Sequence, residues 1–116
     1  MFLWKTYTFQ DVKILIVCTG NSCRSQMAQG WLQSFDKNLN VCSAGTEPAR
    51  EVNPLAINTM KSSGIDISHH TPKSIHEYLN EPWDYVITVC GEANENCPVF
   101  NGKVRQRLHI GFYDPS

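Results

Sequence analysis

The sequence predicts a single-domain α/β protein built on a parallel β-sheet, and three observations carry that prediction. VKILIVC (12–18) is a continuous apolar run, the pattern of a parallel strand covered on both faces. A glycine-containing turn and a helical pattern follow it, and apolar strand-like runs go on alternating with helix signals, as in βαβ units. At 116 residues the chain suffices for one domain with a real core, not for two.

The elements come in order. From Arg24 onward Met27, Trp31, Leu32 and Phe35 recur at three- and four-residue spacing, which predicts a helix. LNVCSAG (39–45) reads as a second strand ending at Gly45. NPLAINTMKSSG (53–64) predicts a helix with Asn53 as N-cap, Pro54 in the first turn and Gly64 at the stop. TPKSIHEYL (71–79) repeats the start signal, with Thr71 before Pro72. DYVITVC (84–90) is apolar and β-branched, a third strand, and VRQRLHI (104–110) is a less apolar fourth. No repeat, low-complexity tract or linker interrupts this order.

A hydrophobic fraction of 41% with 18% charged residues is that of an ordinary globular protein. The net charge of -1 gives no electrostatic basis for binding nucleic acid or an anionic membrane. The apolar run 14–18 is far too short to cross a bilayer. MFLWKTYTFQD (1–11) lacks both the apolar stretch and the cleavage site of a signal peptide; it reads as an N-terminal extension. A cytoplasmic location is expected.

Five cysteines (18, 23, 42, 90 and 97) are many for such a chain, and the odd count argues against a fully paired secreted framework. There is no C-x-x-C, and His69 and His70 are adjacent, so the spacings do not suit zinc. No metal is predicted. Redox or nucleophilic chemistry remains.

VCTGNSCRSQMAQG (17–30) shows where that chemistry would sit. In a parallel α/β sheet ligands bind beyond the carboxyl ends of the strands. Cys18 ends the first strand and Arg24 opens the next helix. Between them Thr19, Gly20, Asn21, Ser22 and Cys23 can turn their N–H groups inward as an anion nest, backed by the positive end of the helix dipole. Gly20 permits close backbone approach, and Asn21 tolerates a left-handed conformation. Arg24 adds a planar fork for two oxygens of a tetrahedral oxyanion. A thiol placed at Cys18 is expected to have its pKa lowered to roughly 3.5–7.5, with Ser25 donating to its sulfur.

C-x5-R-S after a first strand, SAGT (43–46) after a second and DP (114–115) near the end resemble the low-molecular-weight tyrosine phosphatase superfamily. Within it, CTGNSCRSQMA and VITVCGEANENCP are similar to the thioredoxin-coupled arsenate reductases. The resemblance covers residues 12 to 116. It implies a four-stranded parallel sheet flanked by helices on both faces, and a domain that stops at Ser116 where the family continues into a C-terminal helix.

The first loop serves both chemistries, so the later cysteines discriminate. A phosphatase clears its phospho-cysteine with water, whereas a reductase must deliver two electrons, for which thiols are a natural source. The resemblance makes Cys90 and Cys97 the second and third redox cysteines. It implies that Cys18 attacks arsenate, Asp114 protonates the departing oxygen, Cys90 attacks Cys18 to release arsenite, and Cys97 takes over the disulfide for thioredoxin to reduce. No cofactor is implied. Tyr113 precedes Asp114 but Ser116 follows Pro115, so the aromatic wall of a phosphatase is incomplete. Gln29 and Lys73 stand where some members carry acidic potassium ligands, and no potassium ion is predicted.

A tyrosine phosphatase and a non-catalytic oxyanion or thiol sensor are the alternatives; the sensor would have no need of Asp114. Cys23 is expected to fill space, Cys42 to lie in the core, and His69, His70, His76 and His109 to be structural. Cys90 to Cys97 in regular helix would rise about 10.5 Å. A disulfide needs Cα atoms about 4.4–6.8 Å apart. CGEANENC is therefore expected to unwind or loop out on oxidation.

Overall fold

The computed structural model describes residues 12–91, 93 and 97–110. Strands β1 (Lys13–Cys18), β2 (Asn40–Gly45), β3 (Trp83–Thr88) and β4 (Val104–His109) form one sheet, all pairs parallel, in the order β2-β1-β3-β4. Helix α1 spans Arg24–Phe35, helix α2 spans Pro54–Ser62, and a single 3₁₀ turn covers Ile75–Tyr78. The predicted four-stranded parallel sheet is present.

The apolar run of β1 explains its central place, because both its faces are covered. Leu15 and Val17 pack with Ala44, Ile75, Trp83, Val86 and Ala93 on one side. Ile14 and Ile16 pack with Val41, Val89 and the α1 residues Ala28 and Leu32 on the other. Thus α1 covers one face, and the 3₁₀ turn with Ala93 covers the other. Helix α2 lies on α1 rather than on the sheet, through Met60 and Ile67 packed around Gly30.

Local signals account for most boundaries. Asn53 accepts from the Leu55 N–H at 2.8 Å, Pro54 opens α2, and Gly64 follows it with φ +79, a left-handed position that suits glycine. The start expected at Thr71 is displaced to Ser74. There Ser74 and Glu77 form a capping box, while the Lys73 carbonyl accepts from the Gly45 N–H and Ser74 bridges to Gly45, keeping the chain extended beside β2. Strand β3 ends at Thr88, so Cys90 sits in the turn beyond it rather than on the strand. On α1 the recurring aromatics are not the buried face: Trp31 and Phe35 are exposed, and Ser25, Gln26 and Gly30 are buried. The helix turns its polar first turn toward the loop that precedes it.

The strand order opens a crevice at one end of the sheet. After β1 the chain adds β2 on one side and then crosses to place β3 on the other. Ligands of such sheets bind at this switch point between β1 and β3. Cys18 and Cys90 both lie at that end. The N-terminal extension (1–11) and Asp114 lie outside the described residues, and no described helix is long and apolar enough to cross a membrane.

A side chain on Gly30 would meet Ile67 at 2.9 Å and Met60 at 3.0 Å from its first carbon. Gly30→Val is therefore expected to destabilise the fold by about 1–3 kcal/mol through overpacking. Urea denaturation measures this, and an unchanged midpoint would refute the tight α1–α2 contact.

Candidate active site

The turn after β1 is held from outside by its carbonyls. Those of Cys18, Thr19, Gly20 and Ser22 accept from the N–H groups of Thr46, Glu47, Ala49 and Asn53 at 2.8–3.1 Å. The Asn21 carbonyl accepts from Gln26 Nε2 at 3.1 Å. A trans peptide carries its N–H opposite its C=O. The amides of residues 19 to 23 therefore face away from these partners, as an anion nest requires.

Helix α1 strengthens the same point. Its N-cap, Cys23, makes no side-chain capping bond, and its first turn holds no acidic residue. The amides and positive dipole end that a cap would consume are left to the loop. Arg24 begins the helix, and its charge is the weakest influence on a Cys18 pKa that burial, above all, holds up.

Asn21 pins the loop. It is fully buried and adopts φ +51, the left-handed conformation expected of it. Its Nδ2 donates to Ser25 Oγ at 2.7 Å and Ser43 Oγ at 2.9 Å. Its Oδ1 accepts from Gln26 Nε2 at 3.1 Å and the Lys73 N–H at 2.8 Å. Ser25 therefore serves the loop through Asn21, a different partner from the expected Cys18 sulfur.

Gly20 is not the tight glycine; a side chain there would meet only Ser22 Oγ, at an ordinary 3.5 Å. Gly45 is: its added carbon would lie 2.5 Å from the Thr19 carbonyl oxygen and 3.1 Å from the Asn21 nitrogen. The glycine of SAGT thus marks the place where β2 lets the loop close against it. Gln26 went unrecognised in the sequence. It is buried, donates to Asn21 and Thr71, and accepts from His70 Nδ1 at 3.0 Å.

The sulfurs of Cys18 and Cys90 are 3.7 Å apart, with the Cys18 thiol donating. The Cys18 pKa is raised, not lowered as expected. Burial comes first in pushing that thiol up, then the charge on Cys90 and the hydrogen bond to it; the Thr19 N–H and Arg24 pull it down without prevailing. Burial also pushes Cys90 up, but hydrogen bonds from the Thr19 hydroxyl, the Ala93 N–H and Cys18 outweigh it, and its pKa falls. The Thr19 and Ala93 contacts measure 3.3 and 3.4 Å. Of the pair, Cys90 is the thiol whose ionisation its surroundings favour and Cys18 the one they disfavour.

Cys97 packs half-buried against the core formed by Leu15, Trp83 and Val86, and residues 92 and 94–96 lie outside the described residues. Cys23 points toward Met27, and Cys42 packs beside Tyr78. Behind the loop a cavity of about 210 Å³ is lined by Gln29, Ser43, Lys73 and neighbours that include no carboxylate. Among the described residues no three His, Cys, Asp or Glu side chains cluster as metal ligands.

A parallel sheet with a thiol at its switch point and a carbonyl-tethered C-x5-R nest defines a cysteine-dependent oxyanion enzyme fold. The chain belongs to the low molecular weight phosphotyrosine protein phosphatase family, whose model matches residues 13–115. Arsenate reductase 2 of Staphylococcus saprophyticus is 48% identical over 104 residues, 89% of this chain and 78% of that protein. The structure of an arsenate reductase in the phosphate binding state matches with TM-score 0.72 and 34% identity over 90% of this chain and 79% of the other. The thioredoxin-dependent arsenate reductase of Corynebacterium glutamicum matches with TM-score 0.68 and 32% identity, over 87% of this chain and 52% of that one.

Two results should follow from the geometry. Cys90→Ala removes both the charge and the acceptor that raise Cys18, so thiolate absorbance should titrate Cys18 at lower pH than in the wild type; an upward move would contradict the coupling. Gly45→Ala should weaken phosphate or arsenate binding about 10- to 100-fold by displacing the loop. Calorimetric titration would expose the error if affinity held.

Proposed function

We propose that this protein is an arsenate reductase that works through a relay of three thiols, Cys18, Cys90 and Cys97. The observation that carries the reading is the 3.7 Å between the Cys18 and Cys90 sulfurs at the mouth of an oxyanion nest. A phosphatase has no use for a second thiol in contact with its nucleophile. The similarity to arsenate reductases, one of them described as thioredoxin-dependent, supports the substrate and the electron donor.

In the proposed cycle arsenate enters the nest formed by residues 19 to 23 and is gripped by Arg24. The Cys18 proton shifts to Cys90 along their contact, and the Cys18 thiolate attacks arsenic. Asp114 gives its proton to the oxygen that leaves as water. Once Cys90 has lost its proton to solvent, its sulfur attacks the Cys18 sulfur. The sulfur–arsenic electron pair goes to arsenic, arsenite departs, and a Cys18–Cys90 disulfide remains. The two thiols are oxidised and arsenic is reduced by two electrons. Cys97 then attacks Cys90, forming Cys90–Cys97 and freeing Cys18, and thioredoxin reduces the new bond. The chemistry calls on no metal or organic cofactor, a cytoplasmic location suits its free thiols, and weak phosphatase activity accompanies the same first step.

The test couples arsenate to thioredoxin, thioredoxin reductase and NADPH. Cys18→Ser should abolish both reduction and aryl phosphate hydrolysis, since both need the same nucleophile. Cys90→Ser should stop multiple-turnover reduction but leave slow hydrolysis; the opposite split would assign the thiols wrongly. Asp114→Asn should slow the first step about 10²–10⁴-fold with binding little changed. Hydrogen exchange across residues 91 to 97 should rise on oxidation to Cys90–Cys97, and equal protection in both states would rule out unwinding.

A further inference from the structure

The third thiol sits in surroundings that oppose its chemistry. To attack a disulfide Cys97 must be a thiolate. Yet it is half-buried against apolar residues, which pushes its pKa up. Its titratable neighbours on the same core cluster are Cys42 from β2, Tyr78 from the 3₁₀ turn and Cys90. None of these carries positive charge, and Tyr78 is itself pushed up to about 12, mainly by burial. What opposes the burial is the positive charge of Arg107, which pulls the Cys97 pKa down without prevailing.

The fold places that arginine. Arg107 lies on β4 paired with Val86 of β3, which belongs to the same core cluster that Cys97 and Phe100 pack against. Its guanidinium stands 5.9 Å from the centre of the Phe100 ring, three residues beyond Cys97. A guanidinium against an aromatic face is held in position while its N–H groups stay available. The neighbouring Arg105 is engaged with Asp84, but Arg107 has no carboxylate partner among the described residues.

We propose that Arg107, its guanidinium fixed over Phe100 at the cluster that Cys97 packs against, is the positioning residue for the third thiol, its charge favouring the thiolate with which Cys97 attacks the Cys18–Cys90 disulfide. In that step a Cys97–Cys90 bond forms, the Cys90–Cys18 bond breaks, and Cys18 leaves with the electron pair. Cys97 has already given its proton to solvent, and no outside oxidant or reductant enters. The assignment rests on the three-thiol relay, and it adds a residue that touches neither arsenate nor the first disulfide.

Site-resolved alkylation of the reduced, full-length protein with iodoacetamide tests it, read by peptide mass spectrometry from about pH 6 to about pH 10. Arg107→Gln should move the Cys97 profile to higher pH and slow its alkylation at neutral pH about 3- to 10-fold, leaving Cys18 and Cys90 unchanged. Arg107→Lys, which keeps the charge, should restore most of the rate; a merely structural role would not be rescued in this pH-dependent way. In rapid-quench experiments with arsenate, Arg107→Gln should form Cys18–Cys90 at the wild-type rate and convert it to Cys90–Cys97 more slowly by a similar factor. Identical Cys97 profiles in wild type and Arg107→Gln would overturn the proposal while leaving the relay intact. A wild-type enzyme that turns over without ever forming Cys90–Cys97 would overturn the relay, and with it the step assigned to Arg107. The two failures are distinguishable because the alkylation profile is read before any arsenate is added.

Discussion

The buried Asn21 amide is the interaction on which the rest depends. Both of its donors and its acceptor oxygen are engaged: Nδ2 with Ser25 and Ser43, Oδ1 with Gln26 and Lys73. Such a network ties α1, β2 and the extended segment before the 3₁₀ turn to one residue of the loop. A buried polar network is rigid when fully satisfied and costly when it is not. The left-handed backbone at Asn21 is stable because these partners fix it, and the loop's carbonyls can then all turn outward. The anion nest is a consequence of that pin rather than of the loop residues acting alone.

The second constraint is electrostatic. Two thiols in van der Waals contact cannot both ionise cheaply, so the pair shares its titration. The structure favours ionisation at Cys90, where Thr19 and Ala93 supply hydrogen bonds, over the more buried Cys18. The loop, by contrast, turns its amides inward, where a negative charge would be met by N–H groups. The contact that adds to the effect of burial on Cys18 also holds the second sulfur against the first. A covalent S–S bond of about 2.05 Å requires only a short further approach from 3.7 Å.

A nest of this kind does not distinguish phosphate from arsenate, since both are tetrahedral oxyanions of similar charge. This is why one family houses phosphatases and proteins similar to arsenate reductases on the same sheet. In this chain the turn after β3 brings a second thiol, Cys90, to 3.7 Å from the first.

Much of this was legible in the residues. The continuous apolar run of β1 predicted a central parallel strand because only a strand covered on both faces tolerates it. Asn53, Pro54 and Gly64 bounded α2 because capping and left-handed turns are local chemistry. The C-x5-R spacing located the nest because a strand end and a helix start are sequence neighbours. Tertiary structure decided what depends on distant segments meeting. Gly45 and Gln26 matter only because β2 and α1 close against the loop, and nothing near them in sequence says so. Cys18 is raised by burial in the sheet and then by Cys90, 72 positions away, and Cys90 is lowered by hydrogen bonds from Thr19 and Ala93 before that from Cys18. Neighbouring residues fixed the machinery of the loop; the electrostatics of its sulfur came from the sheet.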